Sequence, residues 1–142
     1  MKRIAAIALF VAATFITAGS AVAQDNRVKA TVPFNFTVGE KTLPSGTYVI
    51  SSRVSTPVLL GLSNWQKGVN VLTLGMPTQS GHEKANQLVF HKYGNHYFLS
   101  DIQCADYSMN IHFATTKAEK RVRTQTEQAG RFVDDPVLIA LN

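Results

Sequence analysis

Charge is scarce in this 142-residue chain: Asp, Glu, Lys and Arg together make up 16% of it, against about a quarter in ordinary soluble domains. That shortage argues against a coiled coil and against a nucleic-acid-binding tail. Cysteine is rarer still. Cys104 is the one thiol in the sequence, so no disulfide can close within the chain and stability has to come from a hydrophobic core. With 45% hydrophobic residues one such core is within reach, while the length is too small for two good ones. The sequence also lacks a G-x-S-x-G elbow, a glycine-rich phosphate loop after a strand, an H-x-x-x-H pair and a second cysteine.

What is present begins with a leader pattern. Met1-Lys2-Arg3 is a short positive segment, Ile4 to Ile16 is apolar without a charge, and Ala21-Val22-Ala23 fits an A-x-A cleavage site. The apolar run is shorter than the ~20 residues that span a bilayer. Residues 1–23 therefore read as a signal peptide and residues 24–142 as one β-rich domain, exported to the periplasm or beyond and without a membrane anchor after cleavage. Loss of Lys2 and Arg3 lowers the net charge from +5 to +3. A balance that modest, outside the cytosol, argues against nucleic acid as a partner and leaves a weak attraction to an anionic envelope polymer.

The domain alternates as strands do. Val28, Ala30, Val32, Phe34, Phe36 and Val38 are apolar, and every residue between them is polar, charged or proline. Period two predicts a half-buried strand, placed at a sheet edge or broken near Pro33, which has no amide proton for a ladder. Leu43-Pro44-Ser45-Gly46 is turn chemistry, and a second strand is expected from Thr47 to about Val54. Val58–Leu62 and Val69–Met76 flank a polar loop and predict a hairpin. Leu88–Tyr93 and His96–Ile102 flank Gly94-Asn95, which suits a type II′ turn. That turn sets a register of Tyr93 against His96, His91 against Phe98, Phe90 against Leu99 and Leu88 against Asp101. Both faces of this hairpin are largely apolar, so it requires cover on each side.

Met109, Ile111 and Phe113 alternate and suggest a further strand. Thr116-Lys117-Ala118-Glu119 matches a capping box and predicts a helix over about 116–129, with a narrow apolar stripe of Ala118, Val122 and Ala129. Pairs of Glu119 with Arg123 and of Arg123 with Glu127 would decorate its solvated surface. The apolar end, Pro136–Leu141, is expected to add a last strand or fill a gap in the core. The fold class is accordingly mainly all-β, an antiparallel β-sandwich or small β-barrel with one C-terminal helix.

Two blocks, VPFNFTVGEKTLPSGTY (Val32–Tyr48) and LVFHKYGNHYFLSDI (Leu88–Ile102), resemble those of a family of small exported bacterial proteins. In that family VPFxFxVGxxxLPxGxY is followed by LVFHxYGxxYFLSxI and then by a basic-acidic helix. The resemblance covers most of the mature chain. It implies an exported β-rich domain and brings no catalytic, binding or cofactor residues with it. The chain departs from the pattern at Asn110–Thr116, where such proteins usually show a G-R-x-L-P-like approach to the helix.

Candidate chemistry is thin. His91 and His96 fall on one face of the hairpin and His82 and His112 complete the set of four, which are residue types that bind zinc or copper. No fixed spacing supports that, and no cofactor is expected; His91 reads better as a core-edge histidine with a satisfied ring. Cys104, His112 and Asp106 supply the residue types of a nucleophile, base and orienter, but Cys104 lies in phase with Phe98 and Ile102 as a small buried hydrophobe. Asp134-Asp135 are neighbours whose carboxylates point apart in extended chain. Trp65 sits at a polar hairpin tip, where packing onto the sheet competes with stacking on a sugar or touching a partner. Lys120 and Arg123 lie in a basic terminal segment that offers an anionic partner a surface.

The sequence thus points to a non-catalytic binding or envelope-associated module, with Trp65, His91, His96, Lys120 and Arg123 as candidate ligand or partner contacts and an anionic polymer or another envelope protein as partner. Two alternatives stand beside it. One is a small barrel carrying an apolar ligand against Val32, Phe34, Phe36 and Val38. The other is a hydrolase or redox enzyme built on Cys104 and nearby histidines.

Overall fold

The computed structural model describes residues 25–53, 55–79, 85–105, 109–131 and 136–142. The leader and its cleavage site, His82, Asp106 and the Asp134-Asp135 pair lie outside the described residues.

The period-two run from Val28 to Val38 becomes two strands in two different sheets. Strand β1 (Asp25–Val32) ends at Pro33, and the chain resumes as β2 (Phe36–Val38). Ala30, Val32, Phe36 and Val38 all stay buried across the break, because both sheets face one shared interior. After a short hairpin partner, β3 (Lys41–Leu43), come β4 (Gly46–Arg53), β5 (Thr56–Asn64) and β6 (Val69–Leu74). The first sheet is antiparallel with order β1-β4-β5-β6.

The second sheet is built on the hairpin of β8 (Gln87–Tyr93) and β9 (His96–Gln103), flanked by β11 (Val137–Ala140) on one side. On the other side β10 (Ile111–His112) and β7 (Met76–Pro77) continue it, and β2 joins β9 in parallel at Thr37 and Phe98. Gly94 takes φ +61° at the turn between β8 and β9, a conformation that glycine adopts without strain. The sheets touch at one side through an isolated bridge between Ala30 and Leu141 and are not closed into a barrel. The structure is thus of the sandwich kind, which corrects the small-barrel alternative.

Between the sheets Phe36 lies 5.2 Å from Tyr48 and 5.4 Å from Phe90, both edge-on, the geometry aromatic pairs prefer. Leu60, Leu62, Leu88, Ile102 and Ile111 close around them with almost no exposure. Val32, Phe36 and Val38 belong to this packed cluster, with Phe34 at its margin stacked on Tyr97. They fill a core where the carrier reading needed them to line a cavity.

The hairpin register follows the sequence expectation from Tyr93/His96 to Phe90/Leu99 and then shifts. Val89 faces Asp101 and Leu88 faces Ile102, with Ser100 as the extra residue of a bulge. The physical reason is the carboxylate: an unbroken ladder would set Asp101 opposite Leu88 inside the core. One added residue sends Ile102 inward and Asp101 outward, where it meets His112 at 2.8 Å.

The outer face of β8 is covered by α1 (Lys117–Gln128), the one α-helix among the described residues. Thr116 caps it, its hydroxyl accepting from the Glu119 amide at 3.1 Å. The face that α1 turns inward differs from the expected stripe. Glu119 and Thr126 are buried and Val122 is half-buried, whereas Ala118 and Ala129 are exposed. Arg123 pairs with Glu127 at 3.0 Å as expected. Glu119 does not decorate the surface; the polar groups beneath the helix draw it in.

Candidate functional site

The β5–β6 hairpin carries the most exposed apolar surface in the described structure. Its strands alternate so that Leu60, Leu62 and Val71 face the core while Leu59, Leu72 and Leu74 face outward. Leu72 is 65% and Leu74 70% exposed, and Leu59 stands opposite Leu74 across the strand pair. Isolated surface leucines are ordinary, but a contiguous apolar patch marks an interaction site. Strand β6 is also the end of its sheet. Val69–Leu74 holds no proline, no charge and no register shift, which are the usual means of blocking edge pairing.

Two hollows of about 410 Å³ are bordered by Leu72. One lies on the outer face over Gly61, between Ser51 and Leu59; the other runs between β6 and the β2–β3 turn, floored by Val71 and Phe113.

Trp65 stands at the tip of the same hairpin, 87% exposed. Packing down onto the sheet is therefore not its arrangement. A short 3-10 turn, Trp65–Lys67, holds it up, with Asn64 Oδ1 accepting from the Lys67 amide at 3.2 Å and Gly68 in the left-handed region. The turn is tied to the LPSGTY segment, since Lys67 Nζ donates to the Ser45 carbonyl. That segment is itself fixed: the Tyr48 hydroxyl donates to the Pro44 carbonyl at 2.6 Å, and the Ser45 amide donates to Asn35 Oδ1 at 2.9 Å. A tyrosine bonded to the backbone four residues upstream is the device that locks corners in β-sandwiches. Here it makes the pedestal for Trp65. Burial raises the Tyr48 phenol above its ordinary value near 10, with Asn64 offsetting part of that rise. Among the described residues the buried Asn64 Nδ2 has no partner in good hydrogen-bond geometry. The hollow beside Trp65, about 140 Å³ and lined by Ser63, Gly68 and Asn70, is smaller than the several hundred Å³ of small-molecule sites. It suits one protruding side chain of a partner.

The remaining candidate contacts sit on the other sheet. His91 is half-buried, its Nδ1 2.9 Å from Glu119 Oε1, which also accepts from the Tyr93 hydroxyl at 3.2 Å. His96 is exposed at the β8–β9 turn, and Lys120 and Arg123 are exposed on α1. The five residues do not form one site. Among the described residues no three His, Cys, Asp or Glu side chains cluster closely enough to hold a metal. Cys104 is 5% exposed within the core cluster, and His112 is engaged by Asp101, so the described part of the proposed nucleophile–base pair is not assembled.

Leu59, Leu72 and Leu74 were not among the residues that the sequence marks as contacts. The available signal was that Val69–Leu74 is apolar in both phases, which equally describes a strand buried on both faces. Compared with models of known families, with curated proteins and with solved structures, the chain matches none.

Proposed function

We propose that this protein is a non-catalytic binding module of the cell envelope that docks a partner protein through the β5–β6 hairpin. The observation that carries the reading is the coincidence on one hairpin of a sheet edge unpaired among the described residues, outward Leu72 and Leu74, and an exposed Trp65 on a braced pedestal. Rigid aromatic anchors beside apolar pockets dominate the energetics of protein interfaces. A free edge adds main-chain hydrogen bonds to an incoming strand. Exported location rests on the Met1–Ala23 leader pattern.

Binding to an envelope extract tests the reading, with the immobilised protein compared with its Trp65→Ala and Leu72→Ser variants. A defined envelope protein retained by the original chain and lost from both variants is the expected result. Equal retention by all three overturns it. Both substitutions are at exposed positions, so each variant is expected to keep its stability within about 0.5 kcal/mol.

A further inference from the structure

The opposite side of the sandwich carries a second surface of different chemistry. Helix α1 has four basic residues, Lys117, Lys120, Arg121 and Arg123, and two acidic ones, Glu119 and Glu127. In sequence the basic residues outnumber the acidic ones by two. The fold buries one acid and pairs the other: Glu119 is 6% exposed beneath the helix with His91 and Tyr93, and Glu127, which stays exposed, is occupied by Arg123. Lys117, Lys120 and Arg121 are left exposed with no carboxylate in ion-pair range among the described residues, and Arg131 just past the helix is likewise exposed and unpaired.

We infer that this face of α1 binds an anionic polysaccharide. Its cationic residues complement a chain of carboxylate or sulfate groups, and Thr124 and Gln128, also exposed, lie on the same stripe as Lys117 and Arg121 by helical spacing. At 1.5 Å per residue the helical part of the stripe runs about 16 Å, so it follows an extended polymer over more than one unit. Among the described residues the exposed large apolar side chains all lie elsewhere. A helix that binds the bilayer interface needs an apolar face toward the lipid, and one that binds single-stranded nucleic acid uses aromatic platforms; the outward face of α1 has neither. The polymer surface is carried by the second sheet and the protein-docking hairpin by the first, so the two ligands need not compete.

The test is titration of the full chain with polygalacturonate, with neutral dextran, with vesicles of phosphatidylglycerol and phosphatidylcholine, and with single-stranded DNA. Polygalacturonate is expected to bind at low salt, to weaken steeply as salt is raised, and to lose at least about tenfold in affinity in the Lys117→Gln/Lys120→Gln/Arg121→Gln variant. Neutral dextran is expected not to bind. A Lys117→Glu/Lys120→Glu variant should lose binding equally, and it keeps the fold because acids are favoured in the first turn of a helix. Trp65→Ala should leave polygalacturonate affinity unchanged, which separates this surface from the hairpin. No binding to polygalacturonate, affinity indifferent to salt or to the substitutions, or tighter binding to the vesicles or the DNA overturns the inference.

Discussion

Nδ1 of His91, on β8, lies 2.9 Å from Oε1 of Glu119, in the first turn of α1. This contact joins the helix to the sheet. A helix with Val122 as its one partly buried aliphatic side chain gains little from apolar burial, so polar bonds to Glu119 carry much of its docking. Glu119→Ala is expected to cost about 1–3 kcal/mol, since it leaves the buried Tyr93 hydroxyl without this acceptor. Glu119→Gln, which keeps an acceptor, should recover part of that loss. Urea unfolding of the three proteins checks it; a loss below about 0.5 kcal/mol for the alanine variant would show that α1 docks by other means.

The Tyr48 phenol gives the fold an alkaline limit. Its raised titration in the folded state means that the unfolded chain releases the proton first. The stabilising contribution is fully present below the ordinary value near 10 and is lost as pH climbs from there through the folded value. Tyr48→Phe should cost about 1 kcal/mol at neutral pH by deleting the bond to Pro44. Its melting temperature should also fall less steeply than that of the original chain above pH 10. Parallel melting curves for the two proteins would contradict the assignment.

Gly46 cannot be replaced cheaply. Its φ is +152°, and a Cβ there would come within 2.4 Å of Asn64 Nδ2. Both the backbone strain and the collision act against Gly46→Ala, with an expected loss of about 2 kcal/mol or more. The variant should also loosen the Trp65 turn, seen as altered tryptophan fluorescence before global unfolding. A denaturation midpoint unchanged from the original would rule out the tight packing of this corner.

Cys104, buried in the core, should resist iodoacetamide in native buffer and react at the rate of unfolding in denaturant. Rapid native labelling would restore the thiol enzyme as a reading of this protein, because a nucleophile has to be reachable.

The strands and their turns were legible because alternation and turn residues act locally. Gly94-Asn95 fixed the β8–β9 register as far as Phe90 and Leu99, and Thr116 with Glu119 marked the start of α1 to within a residue. Asp101 shows where local reading stops. Its carboxylate is incompatible with the core, but only the position of Leu88 in the opposite strand makes a bulge at Ser100 the remedy. The same holds for Glu119, whose partners His91 and Tyr93 lie 28 and 26 residues away. Periodicity by itself determined that a β-rich domain with one interior and one capped helix would form. Which apolar residues stay outside was decided by the tertiary structure: Leu72 and Leu74 are exposed because, among the described residues, β6 ends its sheet and none covers its outer face, and neighbours in space are not written in the order of the chain.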